Sequence, residues 1–111
     1  MANLFGRLDE DLSMRSLKEW QQVVTKYAVE HGFEWAKSDV DTMLLRLHSE
    51  VSEASEAVRD EDWNGFAEEL ADIFIRLVNT AEVMGVDLEA EVEKKHQKNL
   101  SRQKLHGRKR K

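Results

Sequence analysis

The chain has 111 residues, about one domain, of which 41% are hydrophobic, so it can bury a core of limited size. It has no cysteine, which excludes disulfides and thiolate metal sites, and no proline and only five glycines, which favours long helices over short strands. The net charge of −5 combines an acidic body, suited to a cation site and poorly suited to nucleic acid, with a basic segment at residues 102–111.

Both ends of the chain are predicted to lie outside the folded domain. Residues 1–12 resemble a loosely held arm, residues 13–105 form the domain, and residues 106–111 form a basic tail. The tail is interpreted either as a solvated terminus or as a contact for phosphate or RNA. No apolar run is long enough to cross a bilayer and no secretory signal opens the chain, so we expect a cytoplasmic protein without a membrane partner.

Helical periodicity predicts four helices. Apolar residues recur every three or four positions, and Gly32 and Gly85 are typical stop signals. Ser38 is interpreted as the N-cap of the second helix and Asp87 as that of the fourth. The predicted helices run from about Ser13 to His31, over about twenty residues after Ser38, from Trp63 or Asn64 to Gly85, and from Asp87 to about Leu105.

The predicted helices favour an all-α bundle that is completed by oligomerisation. Because only a few residues join helices two and three, these helices should be adjacent and antiparallel. The third helix is apolar around more of its circumference than one stripe requires, which indicates neighbours from outside the chain; the residues concerned are Ile73, Phe74, Ile75, Leu77 and Val78. We therefore expect a four-helix bundle that forms a dimer or a dimer of dimers.

Two pairs of acidic residues have equivalent positions on helices two and three. Glu50 and Glu53 lie to one side of the second apolar stripe, and Glu69 and Asp72 lie in the same sense around the third helix. On antiparallel neighbours these offsets predict one shared groove. Close carboxylates repel unless a cation neutralises them, and oxygen ligands favour magnesium, manganese or calcium. The alternative, that these acids form only a solvated face, stays open.

The fourth helix carries a row of polar and basic residues. Lys95, Asn99 and Arg102 lie within an arc of about 60°. Such a row suits recognition of an oxyanion, although cations near a helix C-terminus also simply complement the helix dipole.

Aromatic residues and histidines have simpler interpretations. Trp20 and Trp63 lie on apolar stripes and are predicted core residues, whereas Trp35, in the connection before helix two, is a candidate for stacking on a nucleobase. Glu93 and His96 form a single Glu-x-x-His, although di-iron bundles need two such motifs. We predict no metal-ligand role for any histidine.

The acidic and basic motifs resemble those of one enzyme family. The segment LHSEVSEASEAV, followed by EELADIFIRLVNTAEVMGVDLEAEVEKKHQKNLSRQKLHGRK, resembles the MazG-like all-α nucleoside triphosphate pyrophosphohydrolases. The resemblance implies that Glu50, Glu53, Glu69 and Asp72 bind magnesium and act in catalysis. It also implies that Lys95, Asn99 and Arg102 contact phosphates. Ser52 stands where the family usually has glycine.

The resemblance implies a reaction as well. It predicts magnesium-dependent hydrolysis of a nucleoside or deoxynucleoside triphosphate to monophosphate and pyrophosphate, with manganese as a substitute metal, in the house-cleaning of nucleotide pools. A homo-oligomer is expected as the active form. Two alternatives stay open, a di-iron carboxylate bundle and a non-catalytic acidic module that binds a divalent cation or a protein partner.

Overall fold

A computed structural model describes residues 14–106, with side chains to residue 102, and this part of the chain is helical without a strand. The elements are α1 (Leu17–Glu30), a 3-10 turn (Lys37–Asp39), α2 (Val40–Arg59), α3 (Trp63–Met84) and α4 (Leu88–His106). The predicted all-α class is therefore confirmed. The predicted arm and residues 107–111 of the predicted tail lie outside the described residues. No described helix is both long and apolar enough to cross a membrane.

The first helix begins later than predicted. Ser16 Oγ accepts a hydrogen bond from the Glu19 backbone N–H at 3.1 Å, and Glu19 Oε1 accepts one from the Ser16 N–H at 2.7 Å. This reciprocal capping box makes Ser16 the N-cap and Leu17 the first helical residue. The predicted start at Ser13 was wrong because periodicity locates a stripe but not the cap.

The predicted cap of the second helix was also wrong. Ser38 lies inside the 3-10 turn, and the Asp39 carboxylate accepts a hydrogen bond from the Ala36 N–H at 2.8 Å, so α2 starts at Val40. At the junction of α3 and α4 the predicted signals are confirmed. Gly85 takes the left-handed conformation with φ of +74°, and Asp87 Oδ1 accepts a hydrogen bond from the Ala90 N–H at 3.1 Å.

Helices α2 and α3 pack along each other, and α1 packs against α3. Three residues, 60–62, join α2 to α3, so the two helices form the predicted antiparallel hairpin. Val78 is completely buried at the centre of the bundle. The other buried apolar side chains are those of Val24, Met43, Ala54 and Ala81.

Gln21 fixes the beginning of α4 against α1. Its buried side chain donates from Nε2 to Glu82 Oε1 and to the Val86 carbonyl, both at 3.0 Å, and its Oε1 accepts from the Leu88 N–H at 2.9 Å. Beyond this anchor every residue from 89 to 101 is exposed. Helix α4 is therefore attached at its first turn and has little of its length covered by the rest of the described chain.

The apolar core is smaller than the sequence stripes indicate. Trp63 is 57% exposed, so the prediction that it belongs to the core was wrong. Trp20, in contrast, is half-buried and contacts Phe74 edge to face, with the ring centroids 6.1 Å apart. Trp63 is the first residue of α3, directly after the connection from α2, and the described residues cover less than half of it. Leu44, Leu70 and several other stripe residues are also about half exposed.

Candidate metal and nucleotide site

Three carboxylates from two helices meet on one side of the α2–α3 hairpin. Glu50 comes from α2, while Glu69 and Asp72 come from α3, one turn apart on the same face. Each offers an oxygen, and these oxygens lie within 4.8 Å of one another. All three residues are half-buried. The predicted convergence of acids from the two helices is thus present for these three residues, hereafter the acid cluster.

The fourth predicted acid lies at the edge of the acid cluster. Glu53 is exposed and stands one turn after Glu50 on α2. Its negative charge contributes to raising the pKa of Glu69, which indicates that the two carboxylates are close. The metal-ligand and catalytic roles of all four acids stay predictions.

Arg76 is a site residue that sequence analysis missed. Its Nε donates to Glu50 Oε2 at 2.8 Å, and the two side chains are only 35% and 13% exposed. This hydrogen bond and the positive charge hold the pKa of Glu50 below its usual value. One signal for it exists in the sequence, because Arg76 is a single charge inside the apolar run 73–78, where a buried charge needs a partner.

The neighbours of Glu69 in the acid cluster raise its pKa strongly. A hydrogen bond with Glu50, followed by burial and the charges of Glu53, Glu50 and Asp72, raises the pKa of Glu69 to about 7. Its Oε1 is buried without a hydrogen-bond partner among the described residues. A buried, unpartnered oxygen among carboxylates is the donor set that a hard divalent cation such as magnesium takes. The residues present therefore fit such a cation.

The raised pKa predicts how stability depends on pH without metal. The folded chain holds a proton on Glu69 more tightly than the unfolded chain, so the free energy of unfolding falls as the pH rises from 4.5 to about 7. The lowered pKa of Glu50 acts below this window. We expect the Tm in EDTA to be lower at about pH 8 than at about pH 5.5, and magnesium to restore it mainly at the higher pH.

Thermal unfolding by circular dichroism measures this effect, with Glu69→Gln as the matched variant. The neutral amide removes the titration, so the variant should lose most of the pH difference between the two buffers. A wild-type Tm in EDTA that rises over this window, or an equal difference in the variant, would contradict the assignment of the raised pKa to Glu69.

An aromatic cleft of about 500 Å³ opens beside the acid cluster. Asp72 belongs to both, so the cleft adjoins the acid cluster. Trp35, the predicted stacking residue, is half-buried in the wall of the cleft. Its ring is stacked with that of Phe33, with the ring centroids 6.4 Å apart, and the Arg46 guanidinium carbon lies 5.4 Å from the centroid of the Trp35 ring. The remaining lining residues are Val24, Tyr27, Ala28, His31, Ile75, Arg76 and Asn79.

The predicted row on α4 does not reach the acid cluster within the chain. Lys95 and Asn99 are exposed and line a groove whose other walls also belong to α4. No hydrogen bond or ion pair in residues 14–102 joins Lys95, Asn99 or Arg102 to the four acids. Their contact with phosphates stays a prediction. His96 also lies in this α4 groove, and within the described chain the acid cluster includes no histidine.

An all-helical bundle carries half-buried carboxylates of the kind that suit a hard divalent cation, beside an aromatic cleft of the size that takes an organic ligand. Residues 38–106 match the MazG nucleotide pyrophosphohydrolase domain, and because this match covers more than half of the chain, the protein belongs to the MazG family. The matched region includes the acid cluster, Glu53 and the row on α4, whereas α1 and Trp35 precede it. Neither a curated protein nor a solved structure matches the chain.

Membership in this family indicates a nucleotide pyrophosphohydrolase that acts with a divalent cation on a nucleotide substrate. The oxygens of the acid cluster are of the type that such a cation takes as ligands.

Proposed function

We propose that this protein hydrolyses nucleoside or deoxynucleoside triphosphates to the monophosphate and pyrophosphate at the acid cluster, with magnesium as the cation and manganese as a substitute. The observation that carries the proposal is the convergence of Glu50, Glu69 and Asp72 within 4.8 Å, with the buried Glu69 Oε1 lacking a partner, beside a cleft of about 500 Å³. The removal of unwanted nucleotides from the pool is the physiological role that this reaction suggests.

Each residue of the site has a separate role in the proposed reaction. Glu50, Glu69 and Asp72 would hold the cation, which when bound neutralises phosphate charge and lowers the pKa of water. Arg76 keeps the Glu50 carboxylate in position through its 2.8 Å hydrogen bond. We assign to the exposed Glu53 the orientation of water and the acceptance of its proton. Water then attacks phosphorus next to the oxygen that bridges the α- and β-phosphates, and the bond from this phosphorus to the bridging oxygen breaks, which releases pyrophosphate in one piece.

Trp35 would supply the stacking surface for the base. Replacement by leucine should raise KM by about tenfold with little change in kcat, because stacking on an aromatic side chain contributes about 1–3 kcal/mol. Trp63→Leu is the matched control, since it makes the same change at an exposed indole that does not line the cleft. Steady-state kinetics of pyrophosphate release measure both variants. Equal KM values for wild type and Trp35→Leu would contradict stacking of the base on Trp35.

The active form in this proposal is a homo-oligomer. Residues 89–101 of α4 are exposed along the helix, and Val92 and Leu100 are each more than half exposed. Covering such side chains stabilises a small domain. A second copy would also bring the row Lys95, Asn99 and Arg102 to acids that it does not reach in its own chain.

A panel of ribo- and deoxynucleoside triphosphates, with magnesium and with manganese, tests the reaction. The expected result is pyrophosphate and monophosphate in equal amounts, no activity in EDTA, and partial or full activity with manganese. Release of orthophosphate alone would contradict the proposed bond cleavage. No turnover of any nucleotide, together with binding of a cation, would favour the non-catalytic acidic module.

A further inference from the structure

Four residues of α3 line the cleft in a row that starts at the acid cluster. Asp72, Ile75, Arg76 and Asn79 are separated by three, one and three positions, so they share one face of the helix. Asn79 lies two turns beyond Asp72, about 10 Å along the helix axis. A nucleotide whose phosphates lie at the acid cluster would therefore extend along this row, with the edge of its base that is farthest from the phosphates near Asn79.

Thr25 fixes the side-chain amide of Asn79. The Thr25 hydroxyl on α1 donates to Asn79 Oδ1 at 2.9 Å, and both residues are half-buried. The acceptor end of the amide is thus engaged with α1, whereas its Nδ2 has no hydrogen-bond partner among the described residues. Asn79 therefore offers N–H donors to the cleft.

Each basic side chain of the cleft already has one contact within the chain. Arg76 Nε is bonded to Glu50, the Arg46 guanidinium lies over the Trp35 ring, and His31 Nδ1 lies 2.8 Å from the Tyr27 carbonyl. Asn79 is the neutral polar group at the end of the row, and its Nδ2 is free of hydrogen bonds among the described residues and available to a base.

We propose that Asn79 is a specificity-determining residue that donates a hydrogen bond to a carbonyl oxygen at position 4 of a pyrimidine or position 6 of a purine. The inference rests on the proposed function, which puts the triphosphate at the acid cluster. It predicts a preference for bases with an oxo group at this edge, namely uracil, thymine, guanine and hypoxanthine, over cytosine and adenine. A cleft of about 500 Å³ admits either ring size, so the selection is by hydrogen bonding.

The engaged Oδ1 explains the selection against amino bases. Asparagine reads adenine with both ends of its amide, accepting from the amino group and donating to a ring nitrogen. Thr25 holds the acceptor end of Asn79 away from that role. A 4-amino or 6-amino group would then face the Asn79 Nδ2, donor against donor, and both would lose hydrogen bonds in a half-buried site.

Matched substrate pairs test this inference through kcat/KM. UTP and CTP differ at position 4, and ITP and ATP differ at position 6, while sugar and triphosphate stay constant. The wild type should favour the oxo member of each pair by about tenfold or more. Asn79→Asp turns the donor into an acceptor and should reverse the preference. Thr25→Val frees the amide to rotate and should reduce the preference toward equality.

Asn64→Asp is the control for the added charge, because Asn64 is exposed in the first turn of α3 and outside the cleft. It should keep the wild-type ratio. Asn79→Leu removes both donor and acceptor, so its UTP/CTP ratio should approach one, and circular dichroism establishes that each variant is folded.

Binding of UMP and CMP by calorimetry separates this inference from the proposed function. If pyrophosphate is released but the wild type does not distinguish UTP from CTP, or Asn79→Asp keeps the wild-type ratio, the role of Asn79 is overturned and the hydrolase stands. If no triphosphate is turned over, the proposed function fails, and the UMP/CMP binding ratio of wild type and Asn79→Asp still decides whether Asn79 reads the base.

Discussion

Asp72→Asn is expected to lower kcat/KM for pyrophosphate release by about 100-fold or more. The substitution keeps the shape of the side chain but replaces a charged oxygen of the acid cluster with a neutral amide, which is a weaker ligand for a hard cation. Asp72 makes no hydrogen bond to another described side chain, so the fold should be retained. Magnesium binding by calorimetry, helicity and pyrophosphate release together measure the effect.

Glu56→Gln is the matched control for the lost charge. Glu56 is exposed on α2, one turn beyond Glu53, and is outside the acid cluster. We expect activity within about twofold of wild type, as for an ordinary surface change. Glu50→Gln should also abolish activity, with an added loss of stability because it weakens the pairing with Arg76. Turnover retained by both Asp72→Asn and Glu50→Gln would refute the assignment of the site.

Mixing two inactive variants is expected to restore activity if each site takes acids from one copy and the row on α4 from another. Asp72→Asn damages the acids, and the double variant Lys95→Ala with Arg102→Ala damages the row. In a mixed dimer one of the two sites then has both parts intact, so random pairing should recover about a quarter of wild-type activity. Each variant alone should lose about 100-fold or more, because its sites all lack one part.

The control mixture combines Asp72→Asn with Glu50→Gln. Both substitutions damage the acids, so no pairing of these chains has an intact acid cluster, and activity should stay low. Co-expression with two different tags allows the mixed species to be isolated. Light scattering that finds only monomers, or a row/acid mixture as inactive as the control, would contradict a site shared between copies.

The positions of the helices follow mainly from local rules. Apolar residues at helical spacing, the left-handed Gly85 and the Asp87 cap predict much of what is observed, because they depend on the backbone of one segment. The two helix starts that were predicted wrongly also depend on local contacts. The capping box at Ser16 and the 3-10 turn before Val40 shift two helix starts by a few residues, since side chains near each terminus compete for the first backbone N–H groups.

The convergence of Glu50, Glu69 and Asp72 was also predictable. Equivalent angular offsets on two helices joined by a short turn leave little freedom, because the turn sets their direction and their apolar stripes set their rotation. Trp63 shows the limit of the same reasoning. It has the periodicity of a core residue, yet it is the first residue of its helix and stays exposed.

The sequence by itself thus determined the helical class, the spacing of the acids and the family to which they point. Only the tertiary structure decided that Arg76 pairs with Glu50, that Trp35 and Asn79 share one cleft, and that α4 leaves the bundle after its first turn. The physical reason is that periodicity describes directions around a single helix axis. Thr25 and Asn79 are 54 residues apart, and their hydrogen bond exists only because α1 and α3 pack at one particular rotation and height.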